Sequence, residues 1–191
     1  MINSLSRKSF ALAAYDAFGH TRTSVLLRHF LWKSQSQYVK SYLMGPDRMS
    51  GFLKTKLSPE WELRLKMFDH DAADMEEQAT RAGVPFVGVL VPIRAQAAMI
   101  SMGDWPEGYD PYKLGDEVRT IVASHGGIYV DILPGFRNIP DAAQYFYPVD
   151  THPDPRAHAV FSALIAKALT NGSVPALKAQ SRQLIESAKS N

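Results

Sequence analysis

The chain has 191 residues, of which 46% are hydrophobic and 21% charged, as in an ordinary globular protein of one domain or one domain plus an extension. Twelve glycines and twelve prolines without a biased tract exclude collagen, a coiled-coil fibre and wholesale disorder. The absence of cysteine excludes a disulfide scaffold, a thiolate nucleophile and any zinc site with cysteine ligands. A formal charge of +2 is too small for a polycation that coats nucleic acid.

That charge is unevenly spread. Residues 1–45 hold Arg7, Lys8, Arg22, Arg28, Lys33 and Lys40 against the single acid Asp16, a net of +5 that leaves −3 for the remainder. Residues 5–16 and 22–43 read as loosely patterned helices, the second with a dense apolar run at Val25, Leu26, Leu27, Phe30, Leu31 and Trp32. The apolar stretch Phe10–Tyr15 is too short for a signal core and Asp16 interrupts it, so no targeting segment is read and the compartment stays undetermined. No run of about 20 apolar residues exists to span a bilayer. Gly45, Pro46 and Asp47 stop the second helix, and 46–57 reads as loop.

The next helix is the clearest. Ser58 is a suitable N-cap and Pro59 a suitable first residue. Trp61, Leu65, Phe68, Ala72, Met75 and Ala79 then recur as one apolar stripe until Gly83. This stripe is core packing rather than a cofactor box. The apolar run 86–92, flanked by Pro85, suits a strand buried on both faces. A loop rich in Gly, Pro and aromatics covers 101–109. Asp110 and Pro111 open a helix with Leu114, Val118, Ile121 and Val122 inward, closed by Gly126 and Gly127. A second strand follows at 128–133, completing a βαβ crossover. Asp154 and Pro155 cap a last helix with Val160, Phe161, Leu164, Ile165, Ala168 and Leu169 buried, and Asn171 and Gly172 end it. Residues 173–191 read as a polar tail. Two strands alone cannot cover their own edges or fill both faces. Further strands therefore lie upstream, come from another chain, or belong to a larger α/β domain of which this is the later part.

The chemistry concentrates at Asp150 and His152, between a buried strand and a helix, where α/β sheets gather functional groups. A carboxylate two residues from an imidazole can orient the ring and stabilise its protonated form, as a serine nucleophile requires of its base. Asp150 equally suits a turn former. A metal reading would draw on Asp150, His152, Asp154 and His158, although the His152–His158 spacing is not a usual ligand spacing. His125 and Asp131 read as helix-end and strand-end residues.

The block from Tyr147 to His158, followed by an amphipathic helix, resembles the last motif block of SGNH (GDSL-type) hydrolases. His152 matches the family's catalytic histidine, Pro153 and Asp154 match the residues after it, and His158 matches its second, structural histidine, with Ala157 in place of the usual glycine. Asp150 takes the aspartate role at a spacing of two rather than the common three, which falls on Val149. The likeness covers roughly residues 58–170. It implies an α/β fold, a three-layer sandwich around a parallel sheet, and an ester hydrolase or O-acyl transferase. In that reaction His152 deprotonates a serine and Asp150 holds the imidazole tautomer. The ester would be a small molecule or linked to carbohydrate, with no cofactor, no metal and no nucleic acid.

The family's nucleophile motif, Gly-Asp-Ser, is absent, and none of Asn3, Asn138, Asn171 and Asn191 stands in an oxyanion setting. Ser50 and Ser101 lie near loops without a strand–turn–helix context. The expectation is therefore a domain incomplete on its N-terminal side. Residues 1–57 form a basic helical insertion or extension, 58–172 the α/β core and 173–191 the tail, and exposed sheet edges favour pairing with a second copy. The alternative is a catalytically inactive fragment or relative acting as a binding module. Arg22, Arg28, Lys33 and Lys40 interleaved with Phe30, Trp32, Tyr38 and Tyr42 could grip a polyanion, or those aromatics could simply pack. Trp105, Tyr109 and Tyr145 to Tyr147 could line a pocket beside His152 or plug the end of a core.

Overall fold

The computed structural model of the chain describes residues 33–148 and 150–172, together with 21–23, 26, 174, 175 and 177. Its elements in order are α1 (Gln35–Leu43), α2 (Asp47–Ser50), a 3₁₀ turn (Gly51–Leu53), α3 (Pro59–Ala82), β1 (Val87–Val89), α4 (Arg94–Met102), α5 (Lys113–Ser124), β2 (Ile128–Val130), 3₁₀ turns at Leu133–Asn138 and Ala142–Tyr145, and α6 (Pro155–Thr170). The protein is mixed α/β, dominated by helix, with one two-stranded parallel sheet. Among the described residues no helix is long and apolar enough to cross a membrane. The helix expected at 5–16, most of the apolar run 25–32 and nearly all of the tail lie outside the described residues.

Helix α3 forms as its signals direct. Pro59 occupies the first turn, and Gly83, at φ 68°, closes the helix by donating its N–H to the Ala79 and Thr80 carbonyls. Ser58 departs from expectation: its hydroxyl makes no capping bond. It is turned toward Gly51, where a Cβ would lie only 2.5 Å from Ser58 Oγ. The apolar stripe is only half buried, with Ala72 alone fully covered. Asp69 joins His125 Nε2 at 2.7 Å, fastening α3 to the C-terminal end of α5.

The strand register pairs Val87 with Ile128, Gly88 with Tyr129 and Val89 with Val130. Alternation sends Val87, Ile128 and Val130 into a core with Phe136, Phe146 and Phe161 of the α6 side. On the opposite face Gly88 meets Val122 of α5, and Tyr129 lies under Arg119 of the same helix. Helices thus cover both faces of the pair. Arg119 also bridges Asp116 at 2.6 Å and Asp131 at 2.5 Å, giving Asp131 its strand-end role.

Both strands are shorter than 86–92 and 128–133, and β1 is not buried on both faces: Val89 within it and Val91 just beyond it are exposed. The reason is the missing neighbour. β1 pairs with β2 alone, so among the described residues its other edge carries no strand. Pro92 leads into α4, and Pro134 turns the chain into a 3₁₀ helix after β2. The expected loop at 46–57 instead contains α2 and a 3₁₀ turn, whose Phe52 and Leu53 are buried.

Helix α4 had no sequence signal. Every residue from Arg94 to Ile100 is buried, so the element shows no solvent face from which a 3.6-residue period could be read. Tyr38, Val39 and Leu43 of α1 form a second core against its Ala95, Ala98 and Met99, joined by Leu114 of α5.

Val122 is the knob that seats α5 on the sheet. A Cβ at Gly88 would lie 2.8 Å from Val122 Cγ2; one at Gly127 would lie 2.8 Å from Val122 Cγ1 and 3.0 Å from its carbonyl oxygen. Valine has little rotamer freedom with which to yield. Gly88→Ala is expected to lower stability by about 1–3 kcal/mol, read as a reduced urea midpoint at unchanged slope.

Candidate functional site: the Asp150–His152 hairpin

Asp150 and His152 lie on a small hairpin between the third 3₁₀ turn (Ala142–Tyr145) and α6. Phe146 and Pro153 form an antiparallel bridge. The Tyr147 N–H donates to the His152 carbonyl at 2.8 Å, the Thr151 N–H to the Tyr147 carbonyl at 3.0 Å, and the Asp154 N–H to the Tyr145 carbonyl at 2.9 Å. Phe146 is buried in the core, whereas Tyr147 and His152 are exposed.

Arg94 holds the hairpin in place. It opens α4, the first helix after β1, is buried, and donates through Nε to the Ala143 carbonyl at 3.1 Å and through Nη1 to the Pro148 carbonyl at 3.0 Å. Its guanidinium lies 3.9 Å from the Tyr38 ring centroid, and burial pulls its pKa below the usual value. The Asp150–His152 turn therefore stands beyond the carboxyl end of β1, the side on which α/β sheets carry their sites. At the other end Asp154 caps α6 by accepting from the N–H groups of Arg156 and Ala157. Arg156 in turn pairs with Asp154 at 2.6 Å, lies over the Tyr145 ring and donates to the Gln144 carbonyl.

Within the turn, Asp150 Oδ1 accepts from the His152 N–H at 3.0 Å, and His152 Nδ1 lies 3.7 Å from the same oxygen. The carboxylate thus acts first as a turn former and lies near the ring without a direct hydrogen bond to it. The side chains are 78% exposed for His152 and 60% for Asp150. This arrangement leaves Nε2 open to a reacting group. Between the two residues Thr151 is left-handed, with φ 63°, a conformation that costs a branched residue about 1–2 kcal/mol.

His158 is exposed and meets the Phe161 ring edge-on at 6.0 Å. Asp154 is committed to the helix and to Arg156, and among the described residues no three His, Asp or Glu side chains converge as a metal set. Ser50 is buried, and Ser101 Oγ donates to the Ile139 carbonyl at 2.7 Å. Of the basic–aromatic set, Arg28, Phe30 and Trp32 lie outside the described residues. Tyr38 is core, and Tyr42 bonds the Met49 carbonyl. Trp105 packs edge-on against Tyr112, and Tyr109 donates to the Leu43 carbonyl, so both close the second core. Arg94 carried no sequence signal, because a lone arginine between prolines and alanines has no motif. Two concave regions lie away from the hairpin. One is an apolar groove of about 280 Å³ among α3, β1 and α5; the other is a cleft of about 360 Å³ between the 55–57 segment, α3 and the start of α5.

The Asp154 cap couples this site to pH. Partial burial raises its carboxyl pKa, but the Arg156 guanidinium and the two backbone N–H groups outweigh that and hold it below 3.8. A depressed carboxylate contributes stability above the ordinary carboxylate range and loses it as pH falls through the folded value. Asp154→Ala is expected to cost about 0.5–2 kcal/mol at pH 7, with the deficit shrinking below about pH 4, as measured by urea melts at both pH values.

No protein-family model, curated protein or solved structure matches the chain.

Proposed function

We propose that the hairpin is the base-bearing arm of an SGNH-type ester hydrolase or O-acyl transferase. The observation that carries this reading is the placement of an exposed imidazole and a neighbouring carboxylate on one braced turn, beyond the carboxyl end of β1 and just before the final helix. His152 takes the proton of a serine hydroxyl through Nε2 as that oxygen attacks an ester carbonyl. Asp150 lies on the Nδ1 side, where it favours the tautomer with Nδ1 protonated and stabilises the imidazolium that forms. The imidazolium returns that proton to the departing alcohol, and the serine-bound acyl group then passes to water or to a sugar hydroxyl. Since Gly-Asp-Ser is absent from the 191 residues, the serine in this reading stands outside that motif.

A second reading, a non-catalytic relative that works by binding, has its own support. Asp150 already serves the turn through the His152 N–H. The apolar groove lined by Trp61, Leu65, Phe68 and Leu114 beside the open edge of β1 offers a binding surface apart from the hairpin. Such an edge is free to receive a strand, including one from a second copy.

The test is intact mass after treatment with a fluorophosphonate, on the wild type and on His152→Ala. The hydrolase reading expects a single adduct whose rate of formation falls by about 10²–10⁴-fold in the variant; peptide mapping then names the serine. A folded wild type that takes no adduct removes the hydrolase reading and leaves the binding one.

A further inference from the structure

The main chain of β1 is used on one side only. Ile128 donates its N–H to the Phe86 carbonyl at 2.9 Å, and the parallel register sets Gly88 against Tyr129. Alternate residues of a strand turn their main-chain groups to the same neighbour. Phe86 and Gly88 therefore face β2, while Val87 and Val89 each turn an N–H and a C=O to the open edge. Among the described residues neither valine makes a main-chain hydrogen bond outside the ladder with β2. A row of such groups is what an added strand pairs with.

The groove beside this edge sets the side-chain chemistry of an occupant. Helix α3 forms one wall, α5 another, and Val89 and Leu90 close it on the β1 side, around a volume of about 280 Å³. Among the described residues that line it, Arg64 is the one charged residue and the others are apolar. The Arg64 guanidinium lies 4.4 Å from the Trp61 ring centroid. It pairs at 2.6 Å with Glu60, a surface pair on the helix exterior that contributes little and is open to exchange for another carboxylate. An apolar groove with one cation is complementary to an apolar occupant bearing one anion. The open edge requires that occupant to be extended main chain.

Resting on the reading of this groove as a binding surface, we infer that β1 receives an extended peptide segment of a partner protein by strand addition. Alternate apolar residues of the segment enter the groove, and one Asp or Glu carboxylate meets Arg64. Main-chain bonds to Val87 and Val89 supply affinity, and the apolar walls with Arg64 supply selectivity. The same edge of a second copy lacks the anion, since residues 84–93 contain no acid.

The experiment uses the full chain and a panel of fluorescein-labelled peptides about six residues long. They alternate valine and threonine, with one glutamate walked through successive positions. Binding is read by fluorescence anisotropy, and the Val87 and Val89 amides by hydrogen exchange. At least one register is expected to bind and to slow exchange at both amides. Arg64→Glu is expected to weaken that peptide by about 10-fold, and a lysine in place of its glutamate to restore the loss. Val89→Pro removes an outward N–H and no bond to β2, so it is expected to weaken binding similarly in a chain with unchanged circular dichroism. A panel that does not bind, or binding without protection of Val87 and Val89, overturns the inference. So does a chain that dimerises in sedimentation and becomes monomeric on Val89→Pro, which assigns the edge to a second copy. Binding that protects both amides but ignores Arg64→Glu keeps the groove as a binding surface and overturns the acidic partner alone. A chain that binds as expected and also takes the fluorophosphonate upholds the inference and removes only the non-catalytic reading.

Discussion

A buried guanidinium organises this protein. Arg94 gives up water at the point where β1 ends and α4 begins, and desolvating a cation without partners is costly. Three parts of the chain offset that cost: the Ala143 carbonyl from the third 3₁₀ turn, the Pro148 carbonyl from the hairpin, and the Tyr38 ring from α1. Segments more than fifty residues apart in sequence are thereby drawn to one side chain. The first helix and the candidate site are tied to the same side chain.

The other governing constraint is the size of the sheet. Two parallel strands give Gly88 and Tyr129 a face toward α5, and Ile128 and Val130 a face toward α6, so both layers assemble. They leave one edge of β1 without a strand, and the residues beside it, Val89 and Val91, remain exposed. Helix α3 has the same incompleteness: its stripe is properly spaced but only half covered, and an apolar groove opens between it, β1 and α5. A strand edge and a helix face open at the same place share one cause, the absence of a further layer element there among the described residues.

Against these buried assemblies the candidate site is open and held by backbone. The hairpin gains its rigidity from main-chain bonds, from the Asp154 cap and from Arg94, while the imidazole projects into solvent. Exposure keeps Nε2 accessible but gives the ring no packed wall.

Much of this was legible in the residues alone. Ser58-Pro59 to Gly83 delimits α3, because Pro fixes the first turn and Gly alone takes the left-handed cap cheaply. Asp154-Pro155 to Asn171 likewise delimits α6, and strand–helix–strand order identifies the parallel pair. The Asp150–His152 block was visible as a motif because its spacing is local. Four features were decided only by the tertiary structure. Helix α4 is enclosed on all sides, so it shows no periodicity. The strands stop after three residues because pairing partners, not propensity, set their ends. Arg94 became an anchor only when distant carbonyls converged on it. The 3.7 Å separation and open exposure of Asp150 and His152 depend on a left-handed Thr151, a conformation that its own side chain disfavours and the surrounding hydrogen bonds impose.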